Sequence, residues 1–245
     1  MISIIVSTYK PEKYTSFAKD VKNTIGDTAY EIIKIDNPGI MGICEAYNRG
    51  AEKAQYPYIC FSHDDIAFKT KDWGQVLISI FEKNANLGLV GCAGCTYKPW
   101  IPSGWSSPQK SEFVKLNLIQ TNKQNRSIEF ISVNMMQQLE PVASLDGCWF
   151  CTKKEITNKY KFDEQTFKSY HCYDIDFSLQ LNSKYQIAVT NDILVVHLST
   201  GDFSSDWLEE TYKLHRKWSQ NLPISIGHIS DQDKKDQETK AYFFL

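Results

Sequence analysis

Residues 56–66, YPYICFSHDDI, hold the densest chemistry in the chain. An apolar run, Tyr58-Ile59-Cys60-Phe61, ends abruptly in Ser62, His63, Asp64 and Asp65. Such a run, opened by Pro57 and flanked by helix-like segments, reads as a buried strand of a parallel sheet. Its carboxyl end is where open α/β sheets bind their ligands. Adjacent carboxylates repel, so a divalent cation, a strong donor or solvent must keep both ionised. A hard cation shared with phosphate oxygens would do so. The plainer alternative is an Asp-rich turn that caps the next helix.

Further acidic or imidazole positions recur beside strand-like segments. Asp36 closes EIIKID, Asp174 and Asp176 open a helical stretch, and His197 lies in ILVVHL at 193–198. Singly, each has a structural reading. Asp36 could form the turn before Pro38, the Asp174/Asp176 pair could cap a helix, and His197 could be a satisfied core imidazole. Jointly, their placement after successive strands of one sheet converges them on one rim.

The elements that must position these groups follow from the apolar pattern. Residues 2–8 form a β-branched strand and 12–25 a helix, with 31–36 the second strand. The helix 42–54 carries Ala46, Gly50 and Ala54 at four-residue spacing, a small-residue stripe suited to close packing on a sheet. After the strand with the HDD cluster come a helix over 73–84 and a strand over 87–92. This βαβαβαβ alternation predicts a parallel sheet with right-handed crossovers, a nucleotide-binding type of half-domain. From Lys98 to about Asn134 the pattern dissolves, and the Trp-rich loop 98–108 is a candidate lid or acceptor wall. An antiparallel strand is expected at 128–133, a buried strand at 141–152, helices at 174–184 and 205–220, and a mobile polar tail after Asp231.

Composition narrows the class. The 245 residues can bury a substantial core, with 42% hydrophobic and 23% charged residues, the proportions of an ordinary globular protein. A net charge of −2 and the lack of any basic run speak against nucleic acid as partner. No apolar stretch approaches the roughly 20 residues of a membrane span. The chain opens directly on strand-like MISIIVSTYK, so no signal peptide and a cytoplasmic location are expected. The seven cysteines include Cys92-x-x-Cys95 and Cys148-x-x-Cys151, whose separation exceeds the knuckle spacing of zinc sites. They read as buried free thiols, without zinc.

The ordered set ISIIVSTYK, IIKIDN, FSHDDI, LDGCWFCTKKE, FDE with YDIDFSLQL, and VVHLSTGDF resembles family 2-like glycosyltransferases of the GT-A fold. It looks closest to the subgroup of the streptomycin-biosynthesis StrF domain, where His-x-Asp replaces Asp-x-Asp. The resemblance covers roughly residues 1–220 and implies one GT-A domain, a mixed, mostly parallel sheet flanked by helices, with 221–245 as a C-terminal extension. It further implies that Asp36 contacts the nucleoside, flanked by Thr8 and Tyr9, with Asn48 and Arg49 approaching the nucleotide. His63, Asp65 and His197 would bind Mn²⁺ or Mg²⁺, with Asp64 beside them. Imidazole favours Mn²⁺ over Mg²⁺. Asp174 aligns with the catalytic base, preceded here by Tyr173 rather than the common Glu. Asp146 and Trp149 fall in the segment that holds donor sugar and acceptor, although Trp149 could equally pack the core.

The expected activity is therefore transfer of a sugar from a UDP- or GDP-type donor to a carbohydrate or lipid-linked acceptor, metal-dependent and inverting, in polysaccharide biosynthesis. A sugar-phosphate nucleotidyltransferase is the alternative enzyme, disfavoured because no Gly-rich phosphate loop with Lys follows the first strand. A degenerate relative that only binds carbohydrate or a partner protein is the other. Trp207, Tyr212 and Trp218 could form the face of a homodimer.

Overall fold

A computed structural model describes residues 1–106, 112–121, 126–199 and 204–244. The first half contains β1 (Ile2–Thr8), α1 (Pro11–Thr24), β2 (Tyr30–Asp36), α2 (Ile43–Lys53), β3 (Tyr58–Ser62), β4 (Ile66–Phe68), α3 (Trp73–Lys83) and β5 (Leu87–Gly91). Short strands follow: β6 (Ala93–Cys95), β7 (Tyr97–Lys98), β8 (Val114–Thr121), β9 (Ser127–Val133), β10 (Leu139–Pro141), β11 (Ser144–Leu145) and β12 (Trp149–Lys153). The chain ends in α4 (Lys154–Lys159), α5 (Tyr173–Asn182), β13 (Gln186–Thr190), β14 (Val195–His197), α6 (Ser205–Trp218), β15 (Ile224–Ser225) and α7 (Asp231–Phe244).

The main sheet has the order β10-β13-β5-β12-β3-β1-β2. Strands β1, β2, β3, β5 and β13 run one way, and β10 and β12 run against them. Strands β1, β2, β3 and β5 are thus parallel, as the alternation predicts, but β5 does not lie next to β3. The antiparallel β12 separates them, pairing Phe150 with Phe61 on one side and with Gly91 on the other. The sheet is mixed because a later strand, whose place and direction no local periodicity sets, inserts at its centre.

Alternation along the strands sorts side chains into two cores. Ile5, Phe61 and Phe150 face α2, α5 and α6, where they pack with Tyr47, Phe162 and Phe177. Ile4, Cys60, Trp149 and Cys151 face α1 and α3, with Phe17, Val21, Trp73 and Leu77. The small-residue stripe of α2 lies directly on β1: a Cβ on Gly50 would sit 2.3 Å from Cγ2 of Ile5, so only glycine permits this approach. Ala46, Gly50 and Ala54 are buried.

A second sheet, β11-β6-β8-β14-β4 with β9 antiparallel on β8, caps one end of the first. Within it β14 pairs antiparallel with β4, placing His197 opposite Ile66. This pairing draws the end of the chain back to the HDD cluster.

Three expectations are corrected. The segment 141–152 is two strands, β11 and β12, broken by a turn at Asp146-Gly147-Cys148 where the chain crosses between sheets. The tail after Asp231 is helix α7, not a mobile strand of chain. It docks through buried Gln237 and Ala241, and its Glu238 carboxylate accepts hydrogen bonds from the Tyr97 hydroxyl and the N–H groups of Trp100 and Ile101. Finally, Cys151 is not a free thiol but is bonded to Cys60, because the β3–β12 register sets the two opposite each other with Cα atoms 4.1 Å apart. Cys92, Cys95 and Cys148 are buried thiols outside the disulfide.

Candidate active site

The parallel strands end on a common rim. Thr8 ends β1, Asp36 ends β2, and Ser62 ends β3 just before His63, Asp64 and Asp65. The antiparallel β12 begins at the same rim, so the turn Asp146-Gly147-Cys148 lies beside the HDD segment, and the His63 N–H donates to the carbonyl of Cys148 at 3.0 Å.

His63, Asp65 and His197 meet there, each offering one ligand atom within 4.8 Å of the others. Oδ1 of Asp65 lies 4.0 Å from Nδ1 of His63 and 3.5 Å from Nε2 of His197. It is buried and accepts no hydrogen bond. A buried, unpaired carboxylate oxygen costs several kcal/mol unless something compensates it. Flanked by two imidazole nitrogens, it fits a divalent transition-metal ion, for which an N₂O donor set is suitable. The second carboxylate oxygen, Oδ2, is 3.3 Å from the Lys13 ammonium. Lys13 also lies 3.6 Å from Asp64, whose Oδ2 accepts the Thr8 hydroxyl at 2.6 Å.

The electrostatics follow from this packing. Burial tends to raise the Asp65 carboxyl, but His63, His197, the Ser199 hydroxyl and Lys13 outweigh it and hold Asp65 below the usual carboxylate range. Burial pushes the His63 imidazole below its ordinary value despite the Asp65 charge. Both directions favour the metal-binding forms, an ionised carboxylate and a neutral ring.

Asp174 is the second residue of α5, in its first turn, and lies against the Asp146-Gly147 turn. Burial and then the Asp146 carboxylate raise its pKa to about 7, against N–H donors of Ile175 and Gly147 that lower it. Its neighbour Tyr173 reaches across the rim, with its hydroxyl 2.8 Å from Nε2 of His63 and donating to the Gly147 carbonyl at 2.9 Å. Asp146 Oδ1 accepts the Cys148 N–H at 2.8 Å, which tightens the turn.

The remaining expected site residues divide. Thr8 is buried against Asp64, while Tyr9 is exposed. Asp36 projects into solvent and pairs with Lys34 at 2.5 Å. The carboxamide of Asn48 is committed elsewhere: it donates to the Phe162 carbonyl and Glu164 and accepts from the Phe162 N–H, tying α2 to the loop before α5. Arg49 pairs with Glu45 along its own helix. Trp149 is fully buried against Trp73 and Phe68 on the α1/α3 side of the sheet, so its indole packs the core instead of stacking on a sugar. Strand alternation sends Phe150 one way and Trp149 the other.

Lys13, Gly147, Gln120 and Asn37 escaped sequence reasoning. Gln120 on β8 supports His197, and Asn37 organises the loop after β2 through hydrogen bonds to Met41 and Tyr170. A long-range contact carries each of them, and no local pattern signals it. Part of the Trp-rich loop, 107–108, lies outside the described residues. Its earlier part is fastened by buried Lys98, which donates to the carbonyls of Ser103 and Gly104 and to His215. Of the aromatics expected on a dimer face, Trp218 is half-buried and donates to Asp176 at 2.8 Å, while Tyr212 is exposed.

Residues 3–217 match the model of the Glycosyltransferase like family. The chain belongs to that family. No curated protein matches it. Among solved structures, it is similar to that of GalNAc-T7 with UDP, GalNAc and Mn²⁺, at 11% identity and a TM-score of 0.58, covering 98% of this chain. It is also similar to S. aureus TarS 1-349 in complex with UDP-GlcNAc, at 13% identity and a TM-score of 0.56, covering 99% of this chain and 71% of that one. This chain spans 54% of the GalNAc-T7 chain. At these identities the likeness shows a common fold, GT-A, a mixed sheet flanked by helices. Among the described residues no helix is long and apolar enough to cross a membrane.

Proposed function

We propose that this glycosyltransferase-family domain transfers a sugar from a UDP-type donor to an acceptor hydroxyl with inversion, using a divalent metal, with Mn²⁺ the better match to its ligands. The observation that carries the reading is the unpaired, buried Oδ1 of Asp65 between two imidazoles at the rim of a GT-A sheet. The solved GalNAc-T7 and TarS complexes with UDP or UDP-GlcNAc support the donor class. His63 in place of the first acid supports the StrF-like subgroup.

His63, Asp65 and His197 would hold the metal, which when bound neutralises charge on the departing diphosphate. Lys13 adds a second positive charge at the same edge. Asp36, Thr8 and Tyr9 surround the end of β1 and β2, where the nucleoside would lie. Asp174 takes the acceptor proton as the hydroxyl oxygen bonds to the anomeric carbon and the bond to the diphosphate oxygen breaks. Its pKa near 7 suits a general base at neutral pH. A carbohydrate or lipid-linked hydroxyl is the proposed acceptor class.

The test is purified full chain with Mn²⁺ and a panel of UDP- and GDP-sugars. Release of nucleoside diphosphate with an inverted product anomer supports the reading. Pyrophosphate release from a nucleoside triphosphate and a sugar phosphate would replace it with nucleotidyl transfer. Saturable carbohydrate binding without turnover would replace it with a binding role.

A further inference from the structure

We infer that Tyr173 is a positioning residue that dictates which nitrogen of His63 faces the metal. The inference rests on the metal-dependent reading above. A phenol carries one proton. That of Tyr173 is committed to the Gly147 carbonyl at 2.9 Å, an acceptor that cannot donate in return. At 2.8 Å from His63 Nε2, the phenol oxygen can therefore only accept, and Nε2 must bear the imidazole hydrogen. A neutral imidazole has one N–H, so Nδ1 keeps its lone pair. Nδ1 is the nitrogen 4.0 Å from the unpaired Asp65 oxygen.

His197 is set by an independent support of the same logic. Gln120 Nε2 donates to the backbone carbonyls of His197 and Ser199, which fixes its amide so that Oε1 faces Nδ1 of His197 at 3.1 Å. His197 thus carries its hydrogen on Nδ1 and turns bare Nε2 to Asp65, 3.5 Å away, and to the Ser199 hydroxyl, which donates to it at 3.3 Å. Two rings, held through opposite nitrogens, present lone pairs to one carboxylate oxygen. The Tyr173 ring is itself buried, edge-on to Tyr47 at 5.6 Å, and Gly147 supplies the space its hydroxyl fills. Outer partners of this kind orient metal-binding histidines generally.

The tautomer is read in metal-free protein labelled with ¹⁵N-histidine, by long-range ¹H–¹⁵N correlation. Wild type should show His63 protonated on Nε2, and Tyr173→Phe should populate both tautomers. In Mn²⁺ titrations, Tyr173→Phe should weaken binding about 10–100-fold, the range for an outer-shell partner. In a His63→Asp background the same substitution should leave Mn²⁺ affinity unchanged, since a carboxylate has no tautomer to select. Wild-type His63 protonated on Nδ1, or an equal weakening in the His63→Asp background, would overturn the inference. Wild type that binds no Mn²⁺ would instead refute metal dependence, while the tautomer measurement still judges Tyr173.

Discussion

Gly147→Ala tests the packing that joins the two halves of the candidate site. A Cβ at Gly147 would lie 2.1 Å from the Tyr173 hydroxyl oxygen, 2.5 Å from Cζ and 2.9 Å from Cε2. The hydroxyl would have to retreat by more than 1 Å to reach ordinary contact, which lies near ~3.5 Å. It has nowhere to go, because the ring is enclosed by Tyr47, Phe150 and Phe162. Overpacking of a rigid core costs ~1–3 kcal/mol, and loss of the hydroxyl's hydrogen bonds adds ~1 kcal/mol. For a domain of this size ~2–4 kcal/mol corresponds to a fall in Tm of roughly 5–15 °C. Thermal unfolding followed by circular dichroism measures it. Adding Tyr173→Phe removes the 2.1 Å contact but leaves the ring carbon at 2.5 Å, so recovery should be partial. A Gly147→Ala protein with wild-type Tm would show that Tyr173 does not lie against this turn.

Other perturbations separate chemistry from binding and from stability. Asp174→Asn should lower kcat by about 10²–10⁴, the usual contribution of a general base, with UDP affinity retained in calorimetry; equal loss of both would make Asp174 a binding residue. Since the base works ionised, kcat of wild type should fall as pH drops below about 7, the value to which burial and Asp146 raise Asp174, and a pH-independent kcat from 5 to 8 would contradict this. Asp65→Ala should weaken Mn²⁺ binding by more than the ~10–100-fold typical of an outer-shell change; unchanged affinity by titration calorimetry removes it from the ligand set. Lys98 is fully buried, and that burial lowers its pKa from 10.5 to about 7. Between those values the unfolded chain binds the extra proton, so stability gains from this residue as pH rises from about 7 to 10. Urea unfolding of Lys98→Met should lack that gain, and parallel curves for the two proteins would refute it.

How the site assembles explains what was legible in advance. The strand ends and their acids were readable because a buried strand leaves an apolar run, and the loss of apolarity marks the rim where backbone and charge meet solvent. The HDD segment and His197 could be singled out for that reason, whereas Asp174 stands in the first turn of helix α5 and follows no strand. Asn48 and Trp149 show the limit. The family resemblance implied Asn48 for the nucleotide and Trp149 for a sugar, but partners distant in sequence claim the Asn48 amide, and strand parity turns Trp149 into the α1/α3 core. Lys13 looks like any solvated helix lysine until α1 is laid against the rim. The helix α7 escapes a local reading because its anchor, Glu238, bonds to chain 138 to 141 residues earlier.

Local pattern by itself determined the parallel opening of the sheet, the small-residue face of α2 and the set of groups with chemical potential, because each is a property of neighbouring residues. Tertiary structure alone decided that β12 enters antiparallel between β3 and β5, and that β14 folds back on β4 to bring His197 to Asp65. It also decided which nitrogen of each imidazole is free. Hydrogen-bond direction between residues 110 positions apart, as for His63 and Tyr173, depends on where donors and acceptors meet in space, and no spacing along the chain encodes it.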